Sequence, residues 1–318
     1  MANYMINRKL KNVIIYLYAL IFPSRIARDT QYFRLWESKG VHIVPVNFYE
    51  PIPNTSTLKA DLWKNQSELV GININEQAQI KLLTDFSTKF KHEYDNLPKE
   101  RTKVPHQYYI NNDFFFNVDA EILYSMIRQF KPKRLIEIGS GNSTLLSAQA
   151  IQKNKEENPN YSCELTAIEP YPNPILTEGF PGLSKLINKN VQEIPLSEFK
   201  RLEENDILFI DSSHVLNIGS DVQYEYLEIL PRLRKGVLVH IHDIFMPAEY
   251  PKEWILNEYR FWTEQYLLQA FLTYNEAYEV VWAASYMHLR NPDKQEASFS
   301  SYQQAEKWTG SFWIRKTR

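Results

Sequence analysis

Leu135-Ile136-Glu137-Ile138-Gly139-Ser140-Gly141-Asn142-Ser143-Thr144 is the stretch on which the fold turns. A short apolar run over residues 134–138 ends abruptly in two glycines, which predicts a buried strand. Gly139 and Gly141 let the backbone bend sharply and approach a ligand with no Cβ in the way. Ser143 and Thr144 suit the first turn of a helix, where a hydroxyl can satisfy an orphan N–H. The helix is expected over 143–153. The unit is therefore strand, glycine turn, helix.

The same alternation continues downstream. Strands are predicted at 162–168, 185–191, 206–210, 236–242, 278–284 and 311–316, and helices at 119–130, 223–233 and 254–271. Continuous apolar strands alternating with helices indicate a mostly parallel sheet covered on both faces. The expected fold is α/β and Rossmann-like, with seven strands in the order 3-2-1-4-5-7-6. Little helical sequence is expected between the last two strands, so strand seven is read as antiparallel.

Upstream of residue 118 the elements are short and irregular. Ile80, Leu82, Leu83, Phe86 and Phe90 share one face of a predicted helix over 77–94. Residues 47–54 read as a loop, and 96–106, with Pro98 and Pro105, as a linker or lid. Residues 1–110 are expected to form a helical cap on the substrate side, and 111–318 the cofactor-binding domain. Arg8, Lys9 and Lys11 precede an apolar run over 13–22, which imitates a signal peptide. The run is about half of what a membrane span needs, and Arg25 spoils the cleavage pattern. It is read as a buried helix or strand, with no stable membrane insertion.

Of the 318 residues, 44% are apolar, enough for a full core, and the net charge is -2. Basic residues are dispersed, so no nucleic-acid footprint is present. The single Cys163 excludes an internal disulfide and a multi-cysteine zinc site and agrees with a cytoplasmic setting. Homo-oligomerisation is left open.

In open α/β sheets, ligands bind at the carboxyl ends of the strands. Four strand ends carry polar or ionisable groups: Glu137 with Gly139-Ser140-Gly141, Glu169-Pro170, Asp211-Ser212-Ser213-His214, and His240-Ile241-His242-Asp243. Glu169 lies about thirty residues past the glycines and can accept both ribose hydroxyls of an adenosine cofactor. A dinucleotide fingerprint needs a third glycine where Thr144 stands, and no P-loop lysine pattern occurs. S-adenosylmethionine (SAM) has no pyrophosphate to be cradled, so the pattern favours SAM over NAD.

These segments resemble the motifs of class I SAM-dependent methyltransferases. Residues 135–143 resemble the first motif, with Ser143 where glycine is usual. Ala167-Ile168-Glu169-Pro170 resembles the second, with Glu169 as the ribose acid. Ile210-Asp211-Ser212-Ser213-His214, followed by Asp221, resembles the Ile-Asp-Gly-x-His…Asp signature of a subgroup that includes macrocin-type sugar O-methyltransferases; Ser212 replaces its glycine. Gly310-Ser311-Phe312-Trp313-Ile314 fits that subgroup's last strand. The resemblance covers about 115–318 and implies SAM held by Glu137, Gly139, Ser140, Gly141, Ser143, Glu169 and Asp211.

Methyl transfer to a hydroxyl needs a base or a metal. His214 and His242 are the candidate bases, with Asp211 as a third catalytic residue, while His240 is read as a core residue. Magnesium-binding relatives such as catechol O-methyltransferase carry an Asp after strand four and a paired Asp-Asn or Asp-Asp after strand five. Asp211 and Asp243 match two of these positions, and His242 occupies a third. A divalent ion on Asp211, His242 and Asp243 is therefore one of two readings, and the imidazole leaves room for an ion softer than magnesium. The acceptor wall is sought among residues 106–109, 245–254 and Trp262. The expected reaction is O-methylation of a hydroxylated small molecule or sugar. C- or N-methylation, or a non-catalytic nucleoside- or dinucleotide-binding protein, are the alternatives.

Overall fold

The computed structural model describes residues 30–302 and 309–318. The apolar run at 13–22 lies outside them. The chain forms two compact units, Met1–Ala60 and Asp61–Arg318. In the first, the described segments are a helix over Thr30–Glu37 and a single 3-10 turn at Thr55–Thr57. No helix among the described residues is long and apolar enough to cross a membrane.

The second unit is built on one sheet of seven strands: β1 (Arg134–Ile138), β2 (Glu164–Ile168), β3 (Lys185–Ile187), β4 (Ile207–Ile210), β5 (Leu238–Ile241), β6 (Tyr278–Ala283) and β7 (Phe312–Lys316). Their order is 3-2-1-4-5-7-6, as the alternation of strand and helix predicts. β1 to β5 are parallel, and β7 runs antiparallel between β5 and β6. The central strands are buried on both faces. Phe209 and Leu238 join one core with the Asp119–Phe130 and Asn142–Glu157 helices. Leu208, Ile210, Val239 and Ile241 join the other, with Tyr226 and Leu268. A strand buried on both faces cannot alternate polar and apolar residues, which is why these strands read as continuous apolar runs.

Three local expectations change. Two helices, Ala284–Arg290 and Pro292–Ser298, separate β6 from β7, so the antiparallel pair is not closed by a short turn. The helix expected over 254–271 is two, Lys252–Leu256 and Glu264–Leu272, with Tyr259 left-handed in the break at φ 58°. The break starts the second helix beside His214, whose carbonyl oxygen accepts from the N–H groups of Thr263 and Glu264. The helix expected over 223–233 begins as α at Asp221–Tyr224, widens to π over Glu225–Ile229 and ends as a 3-10 turn at Leu230–Arg232. Pro231, lacking an N–H, marks where it stops.

The Glu76–Tyr94 helix belongs to the sheet-bearing unit. It buries Leu83, Phe86, Phe90 and Tyr94 on the face read from the sequence, against the Asp119–Phe130 helix. Arg128 of that helix is 2% exposed and is neutralised by Glu93 at 2.7 Å and by Glu157.

Candidate active site

The loop after β1 is locked to its neighbours by backbone geometry. Gly139 has φ +77°, and a Cβ there would lie 1.7 Å from the backbone oxygen of Asp211. Only glycine allows both the turn and the contact. A Cβ on Gly141 would meet nothing within 4 Å, so that side of the loop faces open space. The Gly141 N–H donates to Thr144 Oγ1 at 2.9 Å, and Ser143 Oγ donates to the fully buried Glu137. Ser140 N donates to Glu169 Oε2 at 3.2 Å, and Tyr171 N to Glu169 Oε1 at 2.8 Å. The ribose acid read from the sequence thus stands at the rim of the glycine loop.

Asp211, His214, His242 and Asp243 converge beside that loop. His214 Nε2 is 3.3 Å from Asp211 Oδ1 and 3.6 Å from Asp243 Oδ2. His242 Nδ1 is 3.4 Å and 3.7 Å from the same two oxygens. The inner nitrogens of both imidazoles therefore face the same two carboxylates. The side chains of Asp211 and Asp243 remain 27% and 17% exposed, against 6% and 8% for the imidazoles. A ligand entering the cluster meets the carboxylates first.

The outer nitrogens are held as well. His214 Nδ1 is 2.9 Å from Oε2 of the fully buried Glu264. His242 Nε2 is 3.5 Å from Asp119 Oδ2. Asp119 is fixed in turn, accepting from Gly310 N at 2.9 Å and Ser311 N at 3.0 Å. Gly310 is required there: a Cβ on it would come within 2.9 Å of Asp243 Cα. Each ring is thus aimed inward by a carboxylate behind it.

Burial disfavours charged imidazoles, yet the surrounding acids prevail. In His214, burial pushes downward, but hydrogen bonds to Asp211 and Glu264 and the charges of Glu264 and Asp243 hold its pKa up at about 10. His242 is likewise raised well above its ordinary value: burial opposes, and Asp243 and Asp211 outweigh it. Burial also works to raise Asp211, but the charge of His242 and the hydrogen bonds from both imidazoles hold it below the usual carboxylate range. Asp243 goes the other way from Asp211: burial raises it, against the charges of His242 and His214.

The backbone is strained at the same place. Val118, His214 and Asp243 have positive φ of 55°, 61° and 55°, three of nine such non-glycine residues among those described. Such residues cost of order 1–3 kcal/mol each and cluster at functional sites. All three flank or belong to the cluster.

The structure gives His240 the core role expected of it. It is fully buried, stacks on Phe209 with centroids 3.9 Å apart and bonds Ser311 Oγ at 2.7 Å through Nε2. Trp262 lies against His214 at 4.4 Å between centroids and against Trp254 at 5.1 Å. Arg260 lies over both tryptophans, at 4.7 and 5.2 Å. The 106–109 stretch does not join this wall. His106 stacks on Phe180, and the buried Tyr108 donates to the Phe115 carbonyl at 2.7 Å. Asp119 and Glu264 are the residues that sequence reasoning missed. Their only sequence signal is an acid on the buried face of an amphipathic helix.

Residues 136–244 match a family described as a methyltransferase domain. An uncharacterized protein of Archaeoglobus fulgidus is 35% identical over 171 residues, covering 51% of this chain and 75% of that protein. Among solved structures, an apo TDP-rhamnose 3'-O-methyltransferase of calicheamicin biosynthesis is similar at 15% identity. It covers 77% of this chain and 96% of its own, with a TM-score of 0.40. An O-methyltransferase from Bacillus cereus in complex with SAH is similar at 11% identity, over 75% and 91% of the two chains, with a TM-score of 0.34. Structural likenesses this faint say nothing about acceptor or metal. The domain match runs from inside β1 to just past β5, and the identity spans three quarters of the Archaeoglobus relative; the chain belongs to the SAM-dependent methyltransferase family.

Proposed function

We propose that the protein methylates a hydroxyl group of a small polar acceptor, a sugar by class, with the hydroxyl bound at Asp211, His214, His242 and Asp243. The observation that carries this reading is the paired arrangement of imidazoles, each with its outer nitrogen on a buried carboxylate and its inner nitrogen facing Asp211 and Asp243. An amine acceptor would need no such device, because a neutral amine is already nucleophilic. Gly139, Ser140 and Gly141 would hold SAM, with Glu169 available to its ribose hydroxyls, while Ser143 on the buried Glu137 braces the loop. Asp211, whose backbone touches Gly139, carries the cofactor loop's position into the acceptor site.

The cluster also fits a divalent cation. Asp211, His214 and Asp243 offer ligand atoms that all lie within 4.8 Å of one another, and His242 faces the same oxygens. A carboxylate behind each imidazole is the usual support of a metal-ligating histidine. The raised imidazoles point the same way: a histidine already holding a proton is a poor base at neutral pH, and a bound cation replaces those protons. Such an ion would polarise the acceptor oxygen and ease loss of its proton. The converging set holds the His214 imidazole where His242 was expected, and an imidazole donor favours a transition ion over magnesium. The protein's own part is to fix the ring tautomers through Glu264 and Asp119 and to exclude water with Trp262 and Trp254.

Mass spectrometry of glycans and small metabolites from a strain lacking the protein tests the reading. One class of hydroxylated product should become lighter by one methylene unit. Treating the purified enzyme with a chelator, then restoring single divalent ions, tests the cation. Activity indifferent to the chelator returns the chemistry to the imidazoles alone.

A further inference from the structure

A cavity of about 440 Å³ opens beside the first turn of the Asp119–Phe130 helix. That volume lies in the range of small-ligand sites. Its lining is mostly polar and includes Tyr94, Lys99, Asp113, Phe116, Glu121 and Ser301. Glu121 is 1% exposed. One of its oxygens accepts from Ser301 Oγ; the other, Oε2, is buried with no partner among the described residues. A buried acceptor left unpaired is costly, more so when it is charged. Burial pushes this carboxyl up to about 7, against hydrogen bonds from Ser301 and from the backbone of Glu121 and Val118. Among the described residues no ion pair links Lys99 to Glu121, and Asp95 is already engaged by Lys91 at 3.4 Å.

We propose that this cavity binds the ammonium group of an amino-bearing, hydroxylated ligand, with Glu121 as its counter-ion. An ammonium brings what Glu121 lacks, a charged donor for Oε2. Charge-assisted bonds of this type are about twice as strong as neutral ones. Asp113 adds a second negative charge to the lining. A metal ion is the poorer occupant. Among the described residues the acids of this cavity do not converge as metal ligands do, whereas Asp211, His214 and Asp243 do.

Two residues on, Glu121 points roughly 200° around the helix from Asp119, the carboxylate behind His242, so this cavity is a site apart from that cluster, and ammonium binding does not rest on the O-methylation reading.

The test is titration of the full-length protein with D-glucosamine, N-acetyl-D-glucosamine and D-glucose at neutral pH, followed by ligand-observed NMR. Glucosamine should bind about tenfold or more tightly than either uncharged sugar, the scale of one charge-assisted hydrogen bond. Glu121→Gln should erase that preference. Equal binding of the three sugars, no detectable binding of any, or a preference that survives in a folded Glu121→Gln protein overturns the inference. If that variant does not fold, the comparison of glucosamine with its N-acetyl form on the unaltered protein decides alone. Amine-selective binding without methyl transfer to any hydroxyl leaves this site standing and removes the proposed reaction. Transfer to amine-free acceptors with no amine preference does the reverse.

Discussion

The backbone oxygen of Asp211 occupies the place where a side chain on residue 139 would begin: a Cβ on Gly139 would lie 1.7 Å from it. The end of β4 is thereby pressed onto the loop after β1, and Asp211 N donates to the Ile138 oxygen at 2.9 Å to hold it there. Gly139→Ala must reverse a φ of +77° and move β4. The expected cost is about 2 kcal/mol or more, from left-handed strain and overpacking together. Gly141→Ala meets no atom within 4 Å and should leave stability nearly unchanged. Urea unfolding of the two variants checks the contrast. Equal midpoints would mean that the loop is not fastened to Asp211 in this way.

Glu169→Ala should weaken SAM by about 1.5–3 kcal/mol, the range for hydrogen bonds to a charged group. Both Glu169 oxygens already accept backbone N–H groups from Ser140 and Tyr171. Those bonds aim the carboxylate and leave lone pairs for two ribose hydroxyls. Calorimetry of SAM binding reads the loss directly, and an unchanged affinity would remove Glu169 from the cofactor site.

Stability of the cofactor-free protein should fall as pH rises. Burial pushes the Glu137 carboxyl up to about 8 from an ordinary 4.5, against hydrogen bonds from Ser143 and Thr144. Within that window the native state keeps a proton that the unfolded chain has released. The native state is thus favoured fully below 4.5 and progressively less toward about 8. Glu137→Gln keeps the shape and cannot ionise, so its urea midpoint should vary less across the window. Parallel pH profiles for the two proteins would contradict the assignment.

The parts of this site that could be read from the sequence are those written locally. Gly139, Glu169, Asp211 and Asp243 each follow an apolar strand, and the carboxyl end of a parallel strand is where a ligand must lie. Glu264 meets His214 across fifty residues, and no spacing announces such a partnership. Asp119 read only as a helix start, because its partner His242 comes from a strand end far along the chain. The apolar spacing through Trp254 and Trp262 suggested one long helix. Tertiary demand won, since the helix has to begin at Glu264 to place that carboxylate under His214. Of the aromatic 106–109 stretch suggested as an acceptor wall, His106 stacks on Phe180 and Tyr108 bonds the Phe115 backbone.

Glu264 and Asp119 should act on the reaction only through the imidazoles they hold. Glu264 is fully buried, with Oε2 2.9 Å from His214 Nδ1 and the Tyr226 hydroxyl as a second neighbour. Fixing a proton on Nδ1 leaves the Nε2 lone pair directed at Asp211 and Asp243, as a metal ligand requires. Glu264→Gln keeps the volume but not the charge, and the ring is then free to turn or to change tautomer. Loss of such an outer partner typically costs 10–100-fold in metal affinity or activity. Titration of the chelator-treated protein with zinc or manganese should show a decline of about that size, while SAM affinity holds. Asp119→Asn should act similarly on His242, with an added loss of stability, since Asp119 also accepts from Gly310 and Ser311. Direct ligand loss serves as the reference: His214→Ala and His242→Ala should each lower turnover by about 10²-fold or more without releasing SAM. Should Glu264→Gln bind the ion as tightly as the unaltered protein, the carboxylate behind His214 is a core hydrogen bond and no more. Should both histidine variants retain full turnover, the methyl acceptor lies elsewhere on the rim.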